Sequence, residues 1–172
     1  MTVHRPYWEH VPVPDDVARR IRSGAVRFGA GSLVLSLVEG IAILVLGFGL
    51  PTAHHPISGI AVMFGGISAF FHFFSSITVF SGRSYVKNGQ LNKTAAGKAC
   101  RLLAVFWGGT IATSLGSCGL LAMVIRSSGR SSVLPEVQYT PAIIGYLLLL
   151  LVPCVLSAVN FFIGRHLLRP AA

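Results

Sequence analysis

Two ionisable side chains stand inside long apolar runs. Glu39 follows Gly31-Ser32-Leu33-Val34-Leu35-Ser36-Leu37-Val38, and His72 lies within Ser68-Ala69-Phe70-Phe71-His72-Phe73-Phe74. A carboxyl and an imidazole in oil can relay a proton, or can fix the register of two helices through one hydrogen bond. Thr110 and Thr113 add hydroxyls in a third apolar run. Pro153, in a fourth, has no amide proton and leaves a carbonyl one turn earlier as an acceptor. The other reactive residue types are sparse. His54 and His55 are adjacent with no third ligand nearby, which fits a solvated turn better than a metal site. Cys100, Cys118 and Cys154 offer no pair to staple an outer loop, and Cys100, at a helix start, is a candidate for palmitoylation. No Ser/His/Asp constellation, Gly-rich phosphate loop or metal motif is present, so the chain reads as non-enzymatic, without metal or cofactor.

The elements that must position these residues are membrane spans. With 172 residues, 53% apolar and only 11% charged, the chain has more apolar side chain than one soluble core needs. Crossing a hydrocarbon layer of about 30 Å takes roughly 20 helical residues. Four stretches qualify: 28–50, 57–80, 102–125 and 142–163. The expected fold is all-α, a four-helix transmembrane bundle joined by a short turn (51–56) and two polar loops (81–101 and 126–141). Residues 1–27 form an N-terminal segment and 164–172 a tail. The first apolar run is too long for the apolar region of a signal peptide and reads as retained.

The net charge of +9, from 14 Lys and Arg against 5 Asp and Glu, is first sorted by position. Arg5, Arg19, Arg20, Arg22 and Arg27 precede span one; Arg83, Lys87, Lys93, Lys98 and Arg101 occupy the middle loop; Arg165 and Arg169 follow span four. Only Arg126 and Arg130 fall on the other side. That asymmetry predicts that both termini and the middle loop are cytoplasmic. It also accounts for the charge without nucleic acid, for which no motif is present. The sequon Asn92-Lys93-Thr94 then lies on the cytoplasmic side and stays unmodified. Localisation is integral and multi-pass, in the plasma membrane or an endomembrane. Anionic lipid headgroups are expected at the basic face.

At 1.5 Å per residue Glu39 lies about 16 Å in from one end of span one, and His72 about 12 Å in from the same face along span two. Thr110 and Thr113 fall at similar depth, giving one polar layer near the midplane. A hydrogen-bonded lock between helices is preferred over an ion path, because residues 41–50 carry no polar side chain and 142–152 only Tyr146. Small residues four apart, Ser32, Ser36 and Gly40 in span one and Gly108, Ala112 and Gly116 in span three, are candidate packing faces, with Gly109, Thr113 and Ser117 on the adjoining stripe. Span two crowds Phe64, Phe70, Phe71, Phe73, Phe74 and Phe80, part of which is expected to face lipid. Pro6, Pro12 and Pro14 disfavour helix over residues 1–14. Asp15 and Asp16 then cap a short basic amphipathic helix, with Val17, Ile21 and Ala25 on one stripe, expected along the cytoplasmic interface.

With a Glu among small residues in its first span, Ser58-Gly59 and Gly65-Gly66 in the second, a short first outer turn, a basic middle loop and a longer second outer loop, the chain resembles the CD20-like (MS4A-type) four-span proteins over about 29–125. The resemblance implies a non-enzymatic membrane organiser or receptor-associated subunit. Two functions follow as expectations: a structural or accessory subunit assembling with itself or a larger membrane complex, or a small ion- or proton-conducting component using Glu39 and His72.

Overall fold

The computed structural model describes residues 10–49, 56–128 and 139–168. Four helices dominate it: α1 (Asp15–Gly49), α2 (Pro56–Ser81), α3 (Lys93–Ser128) and α4 (Tyr139–Leu168). All four are long and apolar enough to cross a membrane. The protein is therefore a multi-pass helical bundle by length and composition. Consecutive helices run antiparallel, as cross-contacts show: a Cβ at Gly29 would meet Phe80, one at Gly109 would meet Phe71, and one at Gly164 would meet Leu103. Helices α2 and α4 each pack on all three others, whereas α1 and α3 occupy opposite flanks.

The bundle is not purely helical. Three short strands, β1 (His10–Pro12), β2 (Val86–Lys87) and β3 (Gln90–Asn92), form an antiparallel sheet in the order β1-β3-β2. Val86 pairs with Leu91 and Lys87 with Gln90, which leaves Asn88-Gly89 as a two-residue turn. Both turn residues have positive φ, 50° and 70°, the backbone of a type I′ hairpin whose twist matches that of its strands. Asn92 then caps α3, its Oδ1 accepting from the Ala95 amide at 2.9 Å. The stretch 81–101, expected as a polar loop, is thus a 3₁₀ turn (Gly82–Ser84), a hairpin and the first turns of α3.

This sheet caps one end of the bundle around a small apolar cluster. Val13, Val86 and Leu91 meet Ala18 and Ile21 of α1, Ala96 and Ala99 of α3, and Leu168 of α4. The cluster corrects the expected N-terminal helix. Among the described residues there is no separate short helix: α1 runs unbroken from Asp15, and its stripe of Ile21 and Ala25, each 1% exposed, packs inward. A hydrophobic stripe takes the nearest apolar partner, and the hairpin supplies it. Arg22 ties the arrangement, its Nε and Nη2 donating to the Val86 carbonyl at 3.2 and 2.9 Å. Helices α1 and α3 begin well before positions 28 and 102, so their first turns belong to the cap. Among the described Lys and Arg, all but Arg126 lie at this end. His54, His55, Arg5, Arg130, Arg169 and most of the loop 126–141 lie outside the described residues.

Candidate functional site

Inside the bundle the polar residues of α1, α2 and α4 join in one network. His72 is fully buried, with Nδ1 2.7 Å from Glu39 Oε2 and Nε2 3.0 Å from Ser32 Oγ. Ser32 Oγ is 2.7 Å from Ser76 Oγ. The hydroxyls of Ser75 and Ser76 both donate to the His72 carbonyl, at 2.8 and 2.9 Å, and both accept from Asn160 Nδ2, at 2.8 and 3.1 Å. Helical spacing makes this possible. Ser32 and Glu39 lie two turns apart on one face of α1, and His72 and Ser76 one turn apart on α2. Histidine then spans the gap with its two ring nitrogens.

One proton order satisfies every one of these contacts at once. The single proton of Ser76 goes to the His72 carbonyl, so Ser76 accepts from Ser32. The proton of Ser32 is then used, so its oxygen accepts from Nε2–H of His72. Because both Ser75 and Ser76 have given away their protons, the group facing them must donate, which is the role of the Asn160 amide. The remaining ring nitrogen, Nδ1, faces Glu39 Oε2 at 2.7 Å. Glu39 Oε1 is buried with no hydrogen-bond partner among the described residues, as are Ser68 Oγ and Ser157 Oγ.

The hydroxyls of span three do not join the network. Thr110 donates to the Trp107 carbonyl and Thr113 to that of Gly109, both within α3. The reason is local: each threonine spends its one hydroxyl proton on a carbonyl of its own helix, one turn back. Near Pro153, Ser114 donates to the Thr110 carbonyl of its own helix at 2.8 Å and lies 3.4 Å from the Leu150 carbonyl, whereas the carbonyl that Pro153 frees is that of Leu149. Sequence spacing did not single out Asn160, Ser75 or Ser76; all three are polar residues in apolar runs, a signal as clear as that of Glu39.

The packing stripes divide. Ser32 is a network member, Ser36 is buried and donates to the Leu33 carbonyl, and a Cβ at Gly40 would meet nothing within 4 Å. Gly108, Ala112 and Gly116 face outward, and the adjoining stripe makes the contact: Gly109 lies under the Phe71 ring and Ser117 is buried. Gly40 and Gly66 line an open apolar groove between α1 and α2 of about 550 Å³, floored by Ala69 and walled by Phe70 and Phe73. Phe70 is 57% exposed. Cys100 packs part-buried against the apolar cluster of the cap. Compared with protein-family models, curated proteins and solved structures, the chain matches none.

Proposed function

We propose that the protein is a non-enzymatic integral membrane protein, a structural or accessory subunit or membrane organiser that assembles with itself or with a larger membrane complex. Both termini and the hairpin cap face the cytoplasm in this reading. The observation that carries it is the set of contacts around Ser76, which are satisfied together only when Ser76 accepts from both of its side-chain neighbours. A proton wire needs members that accept on one side and donate on the other. In the order that satisfies every contact, Ser76 accepts from both Ser32 and Asn160, and its own proton ends on a backbone carbonyl. An amide nitrogen donates without accepting, so the cap-side end of the chain is closed to relay. Such an arrangement suits a lock that holds α1, α2 and α4 in register, where interhelical hydrogen bonds contribute about 0.6–2 kcal/mol each. The outward stripe Gly108, Ala112 and Gly116 leaves α3 a face for close helix contact with another subunit, and the CD20-like resemblance of span one agrees with such a role.

The alternative, a proton-conducting component, draws on the unpartnered Glu39 Oε1. Purified protein in liposomes loaded with a pH-sensitive dye separates the two. Under the lock reading the wild type gives no flux above protein-free vesicles. A flux that disappears in Glu39→Gln would overturn it.

A further inference from the structure

A second pocket lies at the cap, on the flank of α1 that faces the hairpin turn. It measures about 370 Å³ and is lined by Asp15, Ala18, Arg19, Arg22, Ser23 and Gly89. Arg22 is held in place by its two bonds to the Val86 carbonyl, which leave the rest of its guanidinium fork unused. Arg19, one turn away on the same face, makes no hydrogen bond or ion pair among the described residues. The only ion pair among those residues is the buried Glu39–His72 contact, so the basic residues around the cap have no carboxylate partner. Asp15 is the single acid in the pocket wall and lies beyond ion-pair distance of either arginine. Two arginines, one prefixed and one unengaged, make a fork suited to a tetrahedral dianion.

Position narrows the ligand. The pocket spans Arg19 to Arg22, roughly 9–13 Å outside the start of the apolar span at Phe28. The headgroup layer on each side of the hydrocarbon is about 5–8 Å thick. The phosphodiester of an ordinary phospholipid stops short of that depth, whereas a headgroup with a further phosphate on a polyol reaches it. We propose that this pocket binds the distal phosphomonoester of an anionic polyol-phosphate lipid headgroup. The inference rests on the reading that the cap faces an anionic leaflet.

The test titrates lipid into the full chain in detergent and counts bound lipid by native mass spectrometry. It compares a polyol-phosphate lipid with phosphatidylserine, and both with a neutral lipid. Expected is a preference of about tenfold or more for the phosphomonoester lipid over phosphatidylserine. Arg19→Gln removes that preference, Arg19→Lys restores only part of it, and Arg20→Gln, outside the pocket, lowers both affinities alike. Equal loss of preference in Arg19→Gln and Arg20→Gln, or no preference in the wild type, would overturn the pocket. If neither anionic lipid binds better than the neutral one, the assignment of the cap to an anionic surface fails as well. Inorganic phosphate that binds with the same dependence on Arg19, and as tightly as the lipid, would overturn the lipid source and give the site to a free anion.

Discussion

At the scale of single residues, the network makes an unequal forecast for two changes at one position. Because His72 donates from Nε2, its Nδ1 is able to accept, and a glutamine at position 39 has an N–H to offer it. Glu39→Gln is therefore expected to keep the lock, with a loss of stability under about 1 kcal/mol. Glu39→Leu strands a buried ring nitrogen and costs about 1–3 kcal/mol. Thermal unfolding in detergent ranks them, and equal losses would refute the proton order. The Glu39–His72 meeting was legible in the sequence, since depth along two antiparallel spans needs only 1.5 Å per residue. The exclusion of Thr110 and Thr113 was not. Depth says nothing about whether a hydroxyl turns to a carbonyl of its own helix, as both of these do.

At the scale of elements, the cap depends on one turn and one cluster. Gly89 has φ 70°, where a side chain costs about 1–2 kcal/mol, so Gly89→Val weakens the hairpin although its Cβ would meet no neighbour. Leu91 is fully buried among α1, α3 and α4, and Leu91→Ala is expected to cost about 2–5 kcal/mol. Hydrogen exchange of β3 should rise in both variants while α2 amides keep their protection; unchanged exchange in β3 would show that the cap does not depend on these residues. Between helices, a Cβ at Gly29 would lie 2.5 Å from the Phe80 Cα, a backbone atom that cannot step aside, and Gly29→Ala should cost about 1–3 kcal/mol. Gly108→Ala meets open space and should be neutral in the isolated chain. Any loss of assembly in Gly108→Leu, read by cross-linking in membranes, would locate a subunit contact on α3. The four spans were legible from apolar length. The hairpin was hidden because its Asn-Gly turn sits among polar and basic residues, where a charged loop satisfies the same composition.

At the scale of the whole molecule, the charge asymmetry and the cap coincide: among the described residues the basic end is the end that carries the sheet. A cysteine placed at Lys87 should react with an impermeant maleimide only after the membrane is opened from the cytoplasmic side, and a sequon placed in the 126–141 loop should be glycosylated while Asn92 is not. The reverse pattern would invert the topology. What composition could not reveal is that the segments assigned to one side form a single folded cap, because their apolar residues are few and scattered along the chain: Val13, Ile21, Val86, Leu91 and Leu168.

The sheet also sets an order in time. Strand β1 is made first, yet its hydrogen-bonded neighbour among the described residues is β3, and Val13 waits for the Gly89 carbonyl. At about 5–20 residues per second, synthesis leaves β1 unpaired for several seconds, while the first two spans enter the membrane. The cluster then stays open until α4 delivers Leu168. Closure of the cap thus reports that every helix has emerged and turned back to the same side. A chain with a misinserted span would display an open strand edge and an exposed apolar cluster to the quality-control machinery.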